Sequence, residues 1–285
     1  MLDVLQKDRG AIASQEHRRK QLQHYIAHGL TTVQGWLDAR SARIIAALGR
    51  YQTKAKISGA VGEIGIHHGK LFILLDLIKA NDETSFAIDL FEQQELNVDR
   101  SGLGDYAQFT RYLEEFSGGT DRVRIIKKNS MELSVDEILA HCGPARLFSI
   151  DGGHTAECTL NDIRLSEAST IDDAIVIVDD YFNPTWPDVS AGVAEYVFDP
   201  GSTLRPFAIS PNKLYLARPH CHARYRLTLR EEVPRFYQKT SAMYGHDVDI
   251  YGYDLSSSWQ RRLINYVKKS PIGSPLQQIY RHYRA

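Results

Sequence analysis

Several groups of residues in this chain have the types and spacing to do chemistry. One predicted strand runs Leu147-Phe148-Ser149-Ile150-Asp151 and continues Gly152-Gly153-His154; another ends Val178-Asp179-Asp180-Tyr181. If the two strands are parallel, Asp151, Asp179 and Asp180 reach one rim. Three carboxylates that close repel one another and take up protons unless a cation sits among them. Hard oxygen donors, with water filling the other positions, suit Mg²⁺ and also Mn²⁺. His154 lies three residues past Asp151 and can lean into the same crevice. Its imidazole titrates near neutral pH and can take a proton from a hydroxyl. A plainer reading has Asp151 capping a helix that begins near Thr155, with His154 an ordinary hydrogen-bonded histidine.

A second group sits earlier. Val61-Gly62-Glu63-Ile64-Gly65-Ile66-His67-His68-Gly69-Lys70 closes a strand and opens a helix. Glycine at 65 and 69 permits a tight turn and close approach of a ligand to the backbone. The pattern, acidic-x-Gly-x-x-x-Gly, is not the dinucleotide fingerprint. Glu63 would repel a pyrophosphate and could accept hydrogen bonds from an ammonium, which favours a cationic adenosine cofactor over a nicotinamide one. His67 or His68 can touch the acceptor or the carboxylate of the cofactor, with His67 the expected cofactor residue, or both are polar loop residues. Asp89, 26 residues after Glu63, ends the next strand, where an acidic residue accepts the ribose hydroxyls. Lys128-Asn129-Ser130 follows the third strand and suits an adenine edge.

These residues need elements to position them. Short apolar runs predict strands over 60–64, 85–90, 123–127, 147–151 and 174–179, with helices over 70–79, 105–116, 135–141 and 156–169 between them. That alternation predicts an α/β, Rossmann-like doubly wound sheet, mostly parallel. Strands over 204–209 and 213–217, joined by Ser210-Pro211-Asn212, predict a terminal antiparallel hairpin, seven strands in all. Residues 1–57 read as an N-terminal helical extension. It has a polar stretch over 6–27, a helix start capped by Thr31 or Thr32, an apolar stripe Trp36, Leu37, Ile44, Ile45 and Leu48, and a stop at Gly49. Residues 58–217 read as the cofactor-binding domain, and 218–285 as an aromatic, basic elaboration of it.

Hydrophobic residues make up 43% and the net charge is −1, which argues for a globular chain without a general pull toward nucleic acid or membrane. Three unpaired cysteines (Cys142, Cys158, Cys221) and an N-terminus without an apolar run predict a reducing, cytoplasmic setting. His220-Cys221-His222 invites a zinc reading but lacks a fourth ligand. Arg18-Arg19-Lys20 and Arg261-Arg262 read as solvated faces.

Taken in order, Glu63-Ile64-Gly65-x-x-x-Gly69, Asp89, Asn129-Ser130, Ile150-Asp151-Gly152-Gly153-His154 and Val178-Asp179-Asp180-Tyr181 resemble class I S-adenosylmethionine-dependent methyltransferases. With Trp186-Pro187-Asp188-Val189, the set is similar to the metal-dependent small-molecule O-methyltransferases of the catechol and macrolide-sugar kind. The resemblance covers about 58–217. It implies that Glu63, Gly65, His67, Gly69, Asp89, Ser130 and Asp151 bind S-adenosylmethionine. It also implies that Asp151, Asp179 and Asp180 bind Mg²⁺ or Mn²⁺, and that His154 is the base. The catechol type uses a lysine in a phrase absent from this sequence. The double aspartate also departs from that type's acidic-amide pair.

The expected reaction is methyl transfer to a hydroxyl of a small molecule, a sugar or glycosylated natural product, with Phe182, Asn183, Thr185 and Trp186 walling the acceptor. A noncatalytic cofactor-binding subunit and a nicotinamide-dependent dehydrogenase are the competing readings. The expected partner is the small-molecule acceptor, with a homo-oligomer possible and neither nucleic acid nor membrane involved.

Overall fold

The strand at Ala60–Ile64 (β1) is buried along its whole length, as a parallel strand covered on both faces must be. It lies between β2 (Ser85–Asp89) and β4 (Ala145–Ile150), parallel to both. β3 (Val123–Lys127) extends the sheet beyond β2, and β5 (Thr170–Asp179) pairs with β4; both contacts are parallel. β6 (Arg205–Ser210) and β7 (Lys213–Ala217) form the predicted antiparallel hairpin, with β7 inserted next to β5. With two later strands, β8 (Tyr237–Met243) and β9 (His246–Tyr251), the sheet order is β3-β2-β1-β4-β5-β7-β6-β9-β8. The chain reverses direction of progress across the sheet between β1 and β4, which opens a crevice at their carboxyl ends.

This description comes from a computed structural model and covers residues 16–253. The described residues up to Gly252 belong to one compact unit. The predicted basic face at Arg261-Arg262 therefore lies outside them, as do residues 1–15.

The helices follow the sequence signals closely. Lys70–Ile78 and Ala156–Ala168 fall within a residue of expectation, and Tyr106–Ser117 and Val135–Cys142 begin after the caps Asp105 and Ser134. Thr155, not Asp151, caps the helix Ala156–Ala168, accepting from the Cys158 N–H at 3.1 Å. The carboxylate of Asp151 is thereby left for the crevice.

Four details of the N-terminal reading are corrected. Thr31 and Thr32 end a helical stretch instead of starting one, and their hydroxyls donate to the His28 carbonyl. The next helix, Ala39–Lys54, is capped by Asp38 through the Arg40 N–H at 2.8 Å, so Trp36 precedes it. Gly49 does not stop that helix. A Cβ there would meet Ile78 Cδ1 at 2.4 Å, so glycine is the residue that lets the helix pack against Lys70–Ile78. Arg18 also departs from a solvated face: its guanidinium donates to the Asp76 carbonyl at 3.1 Å, at the end of that helix.

The strand count is nine, not seven. β8 (Tyr237–Met243) and β9 (His246–Tyr251) form a further hairpin, with β9 parallel to β6. Tyr244 and Gly245, both at positive φ, make its two-residue turn. β8 is half exposed and polar, so it lacks the apolar signature of its neighbours. No helix of the described residues is long and apolar enough to cross a membrane.

Candidate active site

A cleft of about 530 Å³ lies over the carboxyl ends of β1 to β5. Its wall brings together Gly65, His67, Asp89, Ser130, Asp151, His154, Asp179 and Asp180. These residues span 115 positions of sequence between Gly65 and Asp180. They meet because the four parallel pairings place every strand end on one edge.

At one end the turn after β1 is shaped by glycine. Gly65 has φ +82°, and a Cβ there would overlap the Asp151 carbonyl oxygen at 1.8 Å, so only glycine fits. Asp89 ends β2, and its carboxylate is held by three backbone donors: Ile66 N at 2.5 Å, His67 N at 2.9 Å and Phe91 N at 2.5 Å. Burial raises its pKa, against the lowering effect of those hydrogen bonds. Ser130 faces the cleft beyond β3. Burial and the neighbouring His68 push His67 down to about 4, so its ring is neutral.

Two expected cofactor residues do not line the cleft. Gly69 opens the helix Lys70–Ile78, and a Cβ there would strike Phe109 Cδ2 at 2.6 Å; its role is close packing. Glu63 is buried within the strand, 2% exposed. No hydrogen-bond partner among the described residues reaches its Oε2. Burial and the nearby Asp151 carboxylate raise its pKa well above the ordinary range.

At the other end lies the acidic group. His154 Nε2 is 3.0 Å from Asp180 Oδ2 and 3.7 Å from Asp151 Oδ1. Nδ1 is 2.8 Å from Asp99 Oδ2, which also accepts from the His154 N–H at 2.7 Å. The ring stacks on Trp186 with centroids 4.4 Å apart. Burial would depress the His154 pKa, but Asp151, Asp180 and Asp99 overcome it and push it up to about 11. Burial opposes ionisation of Asp180, yet hydrogen bonds from His154, Asn183 and Asn212 hold its pKa below the usual carboxylate range. Burial and the Asp179 carboxylate push Asp151 up to about 8.

The expected trio of aspartates is rearranged. Asp179 forms a buried ion pair with Lys213. Among the described residues, the groups around the crevice whose ligand atoms fall within 4.8 Å of one another are Asp151, His154 and Asp180. This set fits a hard divalent cation. Two carboxylate oxygens and an imidazole nitrogen converge there. The turn around Gly65 and the carboxylate of Asp89 fit an adenosyl cofactor.

Of the expected acceptor wall, Asn183, Thr185 and Trp186 line the cleft; Phe182 does not and is 54% exposed. Sequence reasoning missed Asp99 and Ser101, which sit in the segment after β2, and Lys213 and Asn212 at the β6–β7 turn. None carries a local motif; only the register Asp179↔Lys213 brings the last pair across from β5. Trp36 also lines the mouth of the cleft, 5.3 Å from the His67 ring, not an apolar helical stripe.

The zinc reading of the His220-Cys221-His222 run is not supported by the neighbours. Asp173, His220 and Cys221 do converge, but the Arg224 guanidinium donates to both Asp173 and Cys221 Sγ. His222 turns away, toward the carbonyls of Arg205 and Ala217.

Comparison with known proteins agrees with this geometry. Residues 63–181 match a family model described as a methyltransferase domain. The fold is similar to the O-methyltransferase NovP, at 19% identity, covering 62% of this chain and 80% of that one, with a TM-score of 0.51. It is also similar to cofactor-bound Rv0187 from MTB, at 15% identity, covering 73% and 89%, with a TM-score of 0.50. No curated protein sequence matches. The order of strand ends, the glycine turn under Asp151 and the matched segment agree: residues 63–181 are similar to a methyltransferase domain, set in a Rossmann-like α/β fold.

Proposed function

We propose that this protein transfers a methyl group from S-adenosylmethionine to a hydroxyl of a small molecule, a sugar or glycosylated natural product, with divalent-metal assistance and His154 as base. The observation that carries the reading is the imidazole of His154, fixed at the cleft wall between Asp99 and the Asp151–Asp180 pair.

In this reading Asp89 accepts the ribose hydroxyls and Ser130 meets the adenine edge. Gly65 lets the cofactor approach the backbone. Asp151 and Asp180 hold the cation, which when bound lowers the pKa of a hydroxyl beside it. Without the cation, Asp99, Asp151 and Asp180 favour the imidazolium, so His154 acts as base only after giving its Nε2 proton to solvent. With Asp151 and Asp180 holding a cation, the pull that keeps that proton weakens, and the neutral Nε2 can take the hydroxyl proton as the oxygen bonds to the methyl and S-adenosylhomocysteine leaves. Asp99 holds Nδ1, and Trp186 holds the ring plane. The sulfonium is already activated, so alignment does most of the work; orientation is worth about 7–11 kcal/mol in favourable cases. A histidine base in place of the lysine of the catechol type favours a sugar hydroxyl over a phenol.

The test is incubation with methyl-¹³C S-adenosylmethionine, Mg²⁺ and a panel of aryl glycosides, free sugars, catechols and amines, read by NMR. New O-methyl signals on carbohydrate, abolished by EDTA and restored by Mg²⁺, are expected. Label on catechol or amine nitrogen alone would overturn the acceptor assignment. Full transfer in EDTA would overturn the metal.

A further inference from the structure

Lys213 is a cation buried in an acidic site, and the proposed chemistry leaves it without a task. It opens β7 directly across from the last residue of β5, in the register Asp179↔Lys213. Its side chain is 2% exposed and that of Asp179 is 6% exposed. The ammonium donates to Asp179 Oδ2, and Asp179 Oδ1 accepts from the Asp180 N–H at 2.9 Å and from Asn212 Nδ2 at 3.2 Å. Both oxygens of Asp179 are thus engaged by groups of the protein itself. Asp151 and Asp180 instead share the side of the crevice occupied by His154. The orphaned Oε2 of Glu63 lies in the same buried group.

We propose that Lys213 is a built-in counter-ion that keeps Asp179 out of the coordination of a divalent cation, leaving Asp151 and Asp180, flanked by His154, to hold the ion. This rests on the metal-assisted reading above. The physical reason is the burial of the pair. Recruiting Asp179 to the ion would leave a 2%-exposed ammonium without its hydrogen-bonded carboxylate, facing only the charges of Asp151 and Glu63, and breaking a buried pair is far more costly than keeping it. The ammonium also repels an incoming dication, so the pair limits both the number of ligands and the affinity.

The test uses Mn²⁺ alone as probe, titrated into the full chain and read from the EPR signal of the free ion. Replacing the whole pair, Lys213→Met with Asp179→Asn, exchanges a buried ion pair for neutral groups, a change that proteins commonly tolerate. Mn²⁺ affinity within about threefold of wild type is expected, because neither residue is a ligand. A loss of about tenfold or more would show Asp179 to be a ligand and overturn the proposal. Lys213→Met alone should tighten Mn²⁺ by about tenfold or more, since it removes the repulsion and frees a carboxylate; unchanged or weaker binding would overturn it. If the single variant fails to fold, as judged by thermal denaturation, the double variant decides. Wild type that does not bind Mn²⁺ while Lys213→Met does would support the counter-ion and sink the metal-assisted reaction. Binding by neither would overturn both.

Discussion

Replacing Asp89 with Asn is the sharpest perturbation of the cofactor end. The carboxylate offers about four lone-pair sites. Three are taken by the backbone N–H groups of Ile66, His67 and Phe91, which pin the group at the end of β2. That leaves one site free for a ribose hydroxyl, and a second hydroxyl must share an oxygen. Asparagine keeps the shape but turns one acceptor into a donor. Its amide must then face either the Phe91 N–H or the Ile66 and His67 N–H groups, donor against donor. A hydrogen bond to a charged group contributes about 1.5–3 kcal/mol. The expected loss of affinity for S-adenosylhomocysteine is therefore about 2–3 kcal/mol, or roughly 30–150-fold. Isothermal titration calorimetry measures it, with thermal denaturation to confirm folding. An affinity within about twofold of wild type would refute the ribose assignment and the lone-pair argument together.

Other substitutions probe the rest of the account. His154→Ala should lower turnover by about 10²–10⁴-fold and leave S-adenosylhomocysteine affinity nearly unchanged, because Nε2 faces the acidic end and not the ribose end; equal turnover would exclude it as base. Asp99→Asn should cut turnover by at least about tenfold with little change in cofactor affinity, since the Nδ1 contact at 2.8 Å orients the ring. Stability has a separate hinge in Arg146, fully buried and held by both carboxylate oxygens of Glu83 at 2.8 Å. Glu83→Ala should cost about 3–5 kcal/mol by urea denaturation, because it leaves a guanidinium buried and uncompensated. A cost under about 1 kcal/mol would mean that water reaches Arg146.

Much of the site is legible in the sequence because strand ends carry it. Once the parallel alternation is read, Asp89, Ser130, Asp151, Asp179 and Asp180 fall on one rim without further information. What a strand end cannot reveal is which neighbour reaches across to it. Lys213 lies 34 residues beyond Asp179, and only the antiparallel pairing of β7 with β5 sets it opposite. Asp99 lies in the connection after β2, where no periodicity fixes side-chain direction. Glu63 shows the converse limit: its position at the end of β1 is as expected, but the pleat and its neighbours leave the carboxyl buried off the cleft wall. β8 and β9 escaped notice for a packing reason. A strand at the rim of a sheet need not be apolar, and the buried charge of Asp249 is satisfied by Arg226 and Arg230 instead of by a hydrophobic face.

The central claim is that one cleft holds an adenosyl sulfonium at the glycine turn and faces its methyl toward the acidic histidine site. A crystal structure with S-adenosylhomocysteine and Mn²⁺ tests it most directly, with the ion located by its anomalous scattering. The account predicts the ribose on Asp89, the sulfur directed toward His154, and a manganese peak between Asp151 and Asp180. An adenosyl group elsewhere, or a sulfur directed away from His154, would contradict it.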